Sequence, residues 1–478
     1  MNRYRTLAAN TIILGLGQFG SKLLVILMMG FYQSALGTDG YGEINNIIDT
    51  ATLLMSLATL SIGESIIRFG IDTAYDNKQV FSIGLRVTFM GLVASMLFVP
   101  FIGVMNGMMP DNNVFKLLHD YAWLTVLYVV TGSLKSSCAL FVRSIGHVKL
   151  YAVDGILTTV MNIVFNVLLL FTFRLGNLGY LLSVILSDIC SIVFLTFTAK
   201  LRQYFTVFGI DRDLLRSMLR FCIPMIPTSI MWWIINVSDS FMISGMMDFE
   251  ASGLYKAASK FPSMISILSG IFSQAWNMSA ITEKNSRTVA KFYTNVFDIF
   301  QSAVYVIGAA LMLAIRPLIY IFCDDDFRGV FVYSPFIIMS VVFTCFCTFM
   351  GSVYVASKKS VRSMVTAAIG AGANIIMNIF LIQIWGIYGA TFASFVSFVL
   401  IFVVRAIDTH GDVYMDIGLK KMICNVLILL AMGAVVSLIT DDMIYYLALA
   451  GMFVAVVALN FRSGIRAVKM LLKKELPE

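Results

Sequence analysis

Histidine is almost missing from this sequence. The three present, His119, His147 and His410, stand far apart. Seven cysteines are scattered along the chain, and only Cys345 and Cys347 lie close together. Neither residue type forms a metal-ligand set or a secreted disulfide framework. No metal site and no cofactor is therefore expected. Charge is scarce too. Asp, Glu, Lys and Arg make up 13% of the chain, against about 25% in an average soluble domain. That is too little polar surface to cover a soluble core of this size. Long polar segments are also lacking: the longest tracts run from Lys200 to Arg220 and from Arg405 to Lys421. A membrane-bound glycan polymerase would show a long outer loop with catalytic polar residues, and none is present. No enzyme is expected.

What the chain has in abundance is apolar sequence, 59% of all residues. A bilayer core takes about 20 apolar residues per helix. By that rule about 14 transmembrane helices are expected, starting near Ala8, Ile44, Gln79, Tyr121, Tyr151, Gly176, Leu215, Gly253, Phe292, Gly329, Ser363, Gly386, Met422 and Met443. The run from Ala8 to Leu36 is too long for a signal peptide and lacks a small-residue cleavage site. It reads as a retained first helix. Gly15, Gly17 and Gly20 within it spell G-x-G-x-x-G. A dinucleotide-binding helix would need a solvent face, however, and "LLVILMMGF" is apolar all round.

Lys and Arg fall unevenly on alternate loops. Twenty-six lie on one side and four, Lys116, Arg174, Arg316 and Arg328, on the other. This strong positive-inside bias predicts a plasma or inner membrane protein with both termini in the cytoplasm. The formal charge of +7 then follows from topology, and no nucleic-acid partner is expected.

Four cations remain, all inside expected spans: Lys22, Lys135, Lys256 and Lys260. Such residues are functional candidates unless they snorkel to an interface. Lys22 lies fourteen residues from each end of its span, about 21 Å of helix, beyond the reach of its side chain. Lys260 is one turn deeper than Lys256 on the same face. The four are candidate cavity cations for an anionic cargo. Asp188 and Asp239 are also deep, and either binding of a coupling ion or pairing with a lysine suits them.

The chain repeats itself. "NIVFNVLLLFTFRLGNLG" (162–179) resembles "NIIMNIFLIQIWGIYG" (374–389). Asn162 and Asn166 match Asn374 and Asn378, and Gly176 and Gly179 match Gly386 and Gly389. Gly42 after the first span matches Gly253 after the seventh. Six spans separate the copies, so the repeat is parallel, about an axis along the membrane normal. The expectation is an all-α polytopic protein with two six-helix lobes, residues 1–205 and 206–410. Two extra helices and a tail follow over 411–478. The Asn pairs are best read as hydrogen-bond glue. Two lobes around an interface suit alternating access. Gly17 and Gly20 in the first helix, Pro224 and Pro227 in the seventh, and Pro262 in the eighth are candidate gating hinges.

Four stretches, "SKLLVILMMGFYQSALGTDGYGEI", "SIGESIIRFG", "ASGLYKAASKF" and "NIIMNIFLIQIWGIYGATFAS", resemble the polysaccharide flippases (Wzx type) of the multidrug/oligosaccharidyl-lipid/polysaccharide exporter superfamily. The resemblance covers essentially the whole chain. It implies that undecaprenyl-diphosphate-linked oligosaccharide moves from the inner to the outer leaflet for cell-surface polysaccharide synthesis. It implies membrane lipids, a polysaccharide polymerase and glycosyltransferases as partners. It also implies a cationic cavity, to which Lys22 contributes from the first lobe and Lys256 and Lys260 from the second. The alternatives are a peptidoglycan lipid-precursor flippase, which usually carries cavity arginines, and a cation-coupled multidrug exporter, which usually has twelve spans.

Overall fold

A computed structural model describes residues 24–72, 74–206, 209–283, 289–357 and 359–472. Every regular element among them is helical. Lys22, Gly17 and Gly20 lie outside the described residues. The chain divides into two compact units, Met1–Gly253 and Leu254–Glu478.

In the first unit, α1 (Met29–Ala58) is two helices joined at Gly37, which has φ 67° and ψ −177°. Only glycine adopts this conformation readily, so the chain turns back here, as "LGTDGYGE" suggests. At Thr59–Ser61 a 55° bend leads into α2 (Ile62–Gly70). There follow α3 (Asn77–Ser95), α4 (Phe98–Met108), α5 (Asn113–Asp120), α6 (Ala122–Ser144), α7 (Val148–Asn166) and α8 (Gly176–Thr198). Then come α9 (Arg212–Cys222), α10 (Ile226–Met246) and α11 (Phe249–Lys260), whose residues from Leu254 on belong to the second unit. Asp76, Asn112 and Asp211 cap α3, α5 and α9 by accepting from backbone N–H groups at 2.9–3.2 Å, satisfying donors that a helix start leaves open. One apolar core joins α2, α3, α6 and α9 through Ile66, Phe81, Phe141 and Met218. A second joins α1 to α4, α5 and α6.

The second unit continues with α12 (Ser263–Glu283), α13 (Val289–Phe322), α14 (Ser334–Ser357), α15 (Ser360–Trp385) and α16 (Ile387–Thr409). Its core is aromatic: Phe272 stacks on Phe300 at 4.4 Å and Trp276 on Phe349 at 4.8 Å. The last two helices, α17 (Leu419–Leu438) and α18 (Asp442–Leu472), are pinned to α13. Lys421 bonds Asp298 at 2.8 Å, Arg466 bonds it at 3.1 Å, and Ser463 donates to it at 2.7 Å.

Among the described residues ten helices are long and apolar enough to cross a membrane, or eleven with the bent α1–α2 pair as one span, and most of the expected first span lies outside those residues. The expected fourteen are thus not all recovered by that measure. The stretches read as the seventh and eighth spans are the exceptions with a visible cause. Ser238, Asp239 and Ser240 interrupt the apolar run of α10. The next span breaks between Lys260 and Ser263, at Pro262, into α11 and α12.

The repeat is legible in each unit. Asn166 donates to Asn162 Oδ1 at 2.9 Å, and Asn378 to Asn374 Oδ1 at 3.2 Å. Gly176 and Gly386 have φ 53° and 55°, and each opens a tight helical hairpin. A Cβ on Gly179 would lie 3.0 Å from the Leu169 carbonyl oxygen, and one on Gly389 would lie 2.0 Å from that of Leu381.

Candidate transport site

Three helices of the first unit converge on a charged cluster. Lys135 projects from α6, Asp154 from α7 and Asp188 from α8. Lys135 Nζ lies 2.9 Å from Asp188 Oδ1, with side-chain exposures of 28% and 7%. Ser191, one turn after Asp188, donates to Asp154 Oδ1 at 2.6 Å, and Asp154 is buried. A Cβ at Gly132 would press on Met55 Cε at 2.7 Å and only touch Asp188 Oδ2, at 3.6 Å. Two carboxylates and one ammonium taken from water are tolerable only because they meet. Lys135 keeps part of its side chain exposed.

A second polar seam runs where α1 meets α10 and the start of α11. The Asn46 side chain, fully buried, donates to Gly42 O at 2.9 Å, Ser244 Oγ at 2.7 Å and Ser252 Oγ at 3.3 Å. Trp233 Nε1 donates to the Asp49 carbonyl at 2.9 Å. Beside this seam the helices touch backbone to backbone. A Cβ on Gly42 would lie 1.9 Å from Phe249 O, and one on Gly253 would lie 2.3 Å from Thr38 O. The contact is reciprocal. Thr38 and Gly42 correspond to Phe249 and Gly253 at the repeat offset, so each glycine meets the counterpart of its own neighbour one turn away. Asp239 is buried on α10. Lys256 and Lys260 are half-buried, one turn apart on α11, and both are engaged in interactions.

In the second unit, Arg405 is fully buried on α16. Its Nε donates to Thr366 Oγ1 at 3.0 Å, and its two terminal nitrogens donate to Cys347 O at 2.7 Å and Ser363 O at 3.2 Å. It braces α14, α15 and α16. The sequence reading counts it with the loop cations, because it follows a long apolar run. The fold places it inside. Asp154 also escaped the sequence reading, since it sits three residues into an expected span where an acid normally faces headgroups. The one available signal was Ser191, a donor spaced one turn from Asp188.

The structure therefore joins Lys135 to Asp188. Pro224 lies in the 3₁₀ turn before α10, Pro227 is the second residue of α10, and Pro262 lies in the gap between α11 and α12.

Long apolar helices, with hairpins repeated in two halves, define a polytopic membrane protein. Residues 7–277, more than half of the chain, match the polysaccharide biosynthesis protein family, and the chain belongs to that family. No curated protein matches the sequence. Among solved structures the fold is similar to the lipid II flippase MurJ in an inward closed conformation. The TM-score is 0.67 and the identity 13%, over 96% of this chain and 99% of that one. It is also similar to an inward-facing multidrug resistance MATE family transporter (TM-score 0.64, 16% identity, 82% of this chain and 95% of that one). A third is a transporter of the same superfamily from Pyrococcus furiosus, described as having a binding pocket of reverse polarity (TM-score 0.59, 15% identity, 84% and 95%). At these identities the likeness is one of fold.

Proposed function

We propose that this protein exports a lipid-linked oligosaccharide, carried on undecaprenyl diphosphate, from the inner to the outer leaflet for surface polysaccharide synthesis. The observation that carries the reading is a conjunction: a sequence of the polysaccharide biosynthesis family on a transporter fold. Two further features support a lipid-linked cargo over a free drug. The final pair α17–α18 is bound into the second unit through Asp298. The flippase fold covers 96% of this chain, whereas the multidrug transporter fold covers 82%. An apolar groove of about 730 Å³ also opens sideways beside α16 and α17. A water-soluble cargo has no use for such a wall.

In this reading the lobes 1–205 and 206–410 rock about a central path, and both termini face the cytoplasm. Lys22, Lys135, Lys256 and Lys260 supply positive charge for the diphosphate. Asp188 holds Lys135 in place, and Asp239 is the second acid to consider for charge pairing or coupling. Pro224, Pro227 and Pro262 supply the breaks about which helices bend. The likeness to a lipid II flippase favours a second reading, in which the cargo is a peptidoglycan precursor.

Depletion separates these readings. The proposal requires a lipid-linked oligosaccharide to accumulate on the inner leaflet while surface polysaccharide falls. Accumulation of the peptidoglycan precursor with lysis selects the second reading. Unchanged lipid pools with raised drug sensitivity would sink both.

A further inference from the structure

Helix α9 carries Arg212, Arg216 and Arg220. At four-residue spacing they advance about 6 Å per step and stay within one face of the helix. All three are exposed, and none forms an ion pair among the described residues. Leu214, Met218 and Cys222 lie on the opposite face and are buried in the core with α2, α3 and α6. Ser65 on α2 ties the helix down by donating to the Met218 carbonyl at 2.8 Å. The arginines are therefore held in a fixed line.

Leu215 and Leu219 point sideways from α9. They line the cavity that holds the three arginines and also the apolar groove of about 890 Å³. The basic cavity therefore adjoins the apolar groove beside α1 and α3, and the two leucines are common to both. The back of the groove is the crossing of α1 and α3, where a Cβ on Gly91 would fall 1.5 Å from the Ala58 carbonyl oxygen. Its rim is strongly exposed: Met90 at 71%, Leu97 at 70% and Phe101 at 59%. In a membrane protein such a rim faces acyl chains.

We propose that this is a binding site for an anionic phospholipid of the leaflet on the basic side of the membrane. Its phosphate sits on Arg212, Arg216 and Arg220, and its tails lie in the groove below. Charge complementarity selects the head. Three guanidinium groups at a membrane surface favour an anionic head over a zwitterionic one, about fivefold per charge and about a hundredfold together. The apolar wall selects a lipid over a free anion, since inorganic phosphate gains nothing from Leu215, Leu219 and the residues beyond. The proposal does not depend on which cargo is exported.

The test uses the full-length protein purified in detergent, with bound lipid counted by native mass spectrometry. Phosphatidylglycerol and phosphatidylcholine of matched chains are supplied in competition. The expected result is preferential retention of phosphatidylglycerol. The preference should fall to near parity in Arg212→Gln/Arg216→Gln/Arg220→Gln and persist in the corresponding triple Lys variant. A short-chain phosphatidylglycerol that cannot fill the groove should be retained at least tenfold less. Equal retention of the two lipids by the unaltered protein, or an undiminished preference in the triple Gln variant, would overturn the proposal. So would displacement of phosphatidylglycerol by a polyprenyl diphosphate at equal concentration, since the site would then belong to the cargo.

Discussion

Consider removing the ammonium of Lys135 by Lys135→Met. Asp188, 7% exposed, and Asp154, 2% exposed, would then share an apolar interior with no cation between them. Breaking a buried pair from one side costs about 3–5 kcal/mol, and the partial exposure of Lys135 places this case near the lower limit. The reverse change, Asp188→Leu, is milder. Lys135 is partly exposed and has Asp154 nearby, so about 1–2 kcal/mol is expected. In Lys135→Met/Asp188→Leu both charges go and apolar volume replaces them. Asp154 stays behind on Ser191 alone, so that double variant should lose about 2 kcal/mol, a coupling of about 2–3 kcal/mol between the sites. The readout is thermal unfolding of purified protein at a fixed scan rate, because membrane proteins of this size unfold irreversibly. Export is read in parallel. The double variant regains stability, yet it lacks a charged bond to the cargo worth about 1.5–3 kcal/mol, so its transport should stay about ten- to a hundredfold below normal. If Lys135→Met unfolds at the unaltered temperature, or the two changes simply add, the ion pair does not hold these helices. If the double variant exports normally, Lys135 belongs to the scaffold and not to the path.

Gly42→Ala and Gly253→Ala should each destabilise by about 1–3 kcal/mol through overpacking. Their combination should cost little more than one alone, because the first methyl already parts the helices; additive losses in thermal unfolding would contradict the shared contact. Lys22→Met should abolish export at near-normal protein levels, while Lys22→Arg keeps part of it, since charge matters more than volume to a phosphate contact; unimpaired export by the Met variant removes Lys22 from the path. Single cysteines at 211–214 in a cysteine-free background should label only with permeant reagents, and those at 324–326 with impermeant ones; the opposite pattern inverts the topology.

Much of the architecture was readable because a lipid-facing helix has few alternatives. Helices begin close to the expected Gln79, Tyr121, Gly176 and Met443, at Asn77, Ala122, Gly176 and Asp442, whereas the stretch at Leu215 is the short amphipathic α9. The Gly-x-x-Gly hairpins turn where the repeat places them. The site was less legible. Charge counting assigns a residue to a loop or a span by its distance from an apolar run. That rule puts Arg405 in a loop, although three acceptor oxygens from α14 and α15 draw it inside. It also passes over Asp154, whose partner Ser191 lies on another helix 37 residues away. Pairing across helices is a three-dimensional fact, and Lys135 with Asp188 could be offered only as one option until α6 and α8 were seen side by side.

The reciprocal glycine contact has a bearing on ancestry. Thr38–Gly42 meets Phe249–Gly253 as a surface meets its own duplicate, which is how a two-fold homodimer is built. A half-length chain carrying one such glycine would meet a second copy of itself by the same contact. Joining two copies in one polypeptide then raises their effective concentration without a new interface. After such a fusion each half would be free to diverge; at the same offset Lys22 stands opposite Trp233. At the crossing point both halves remain glycine, because a side chain on either one would intrude on the other.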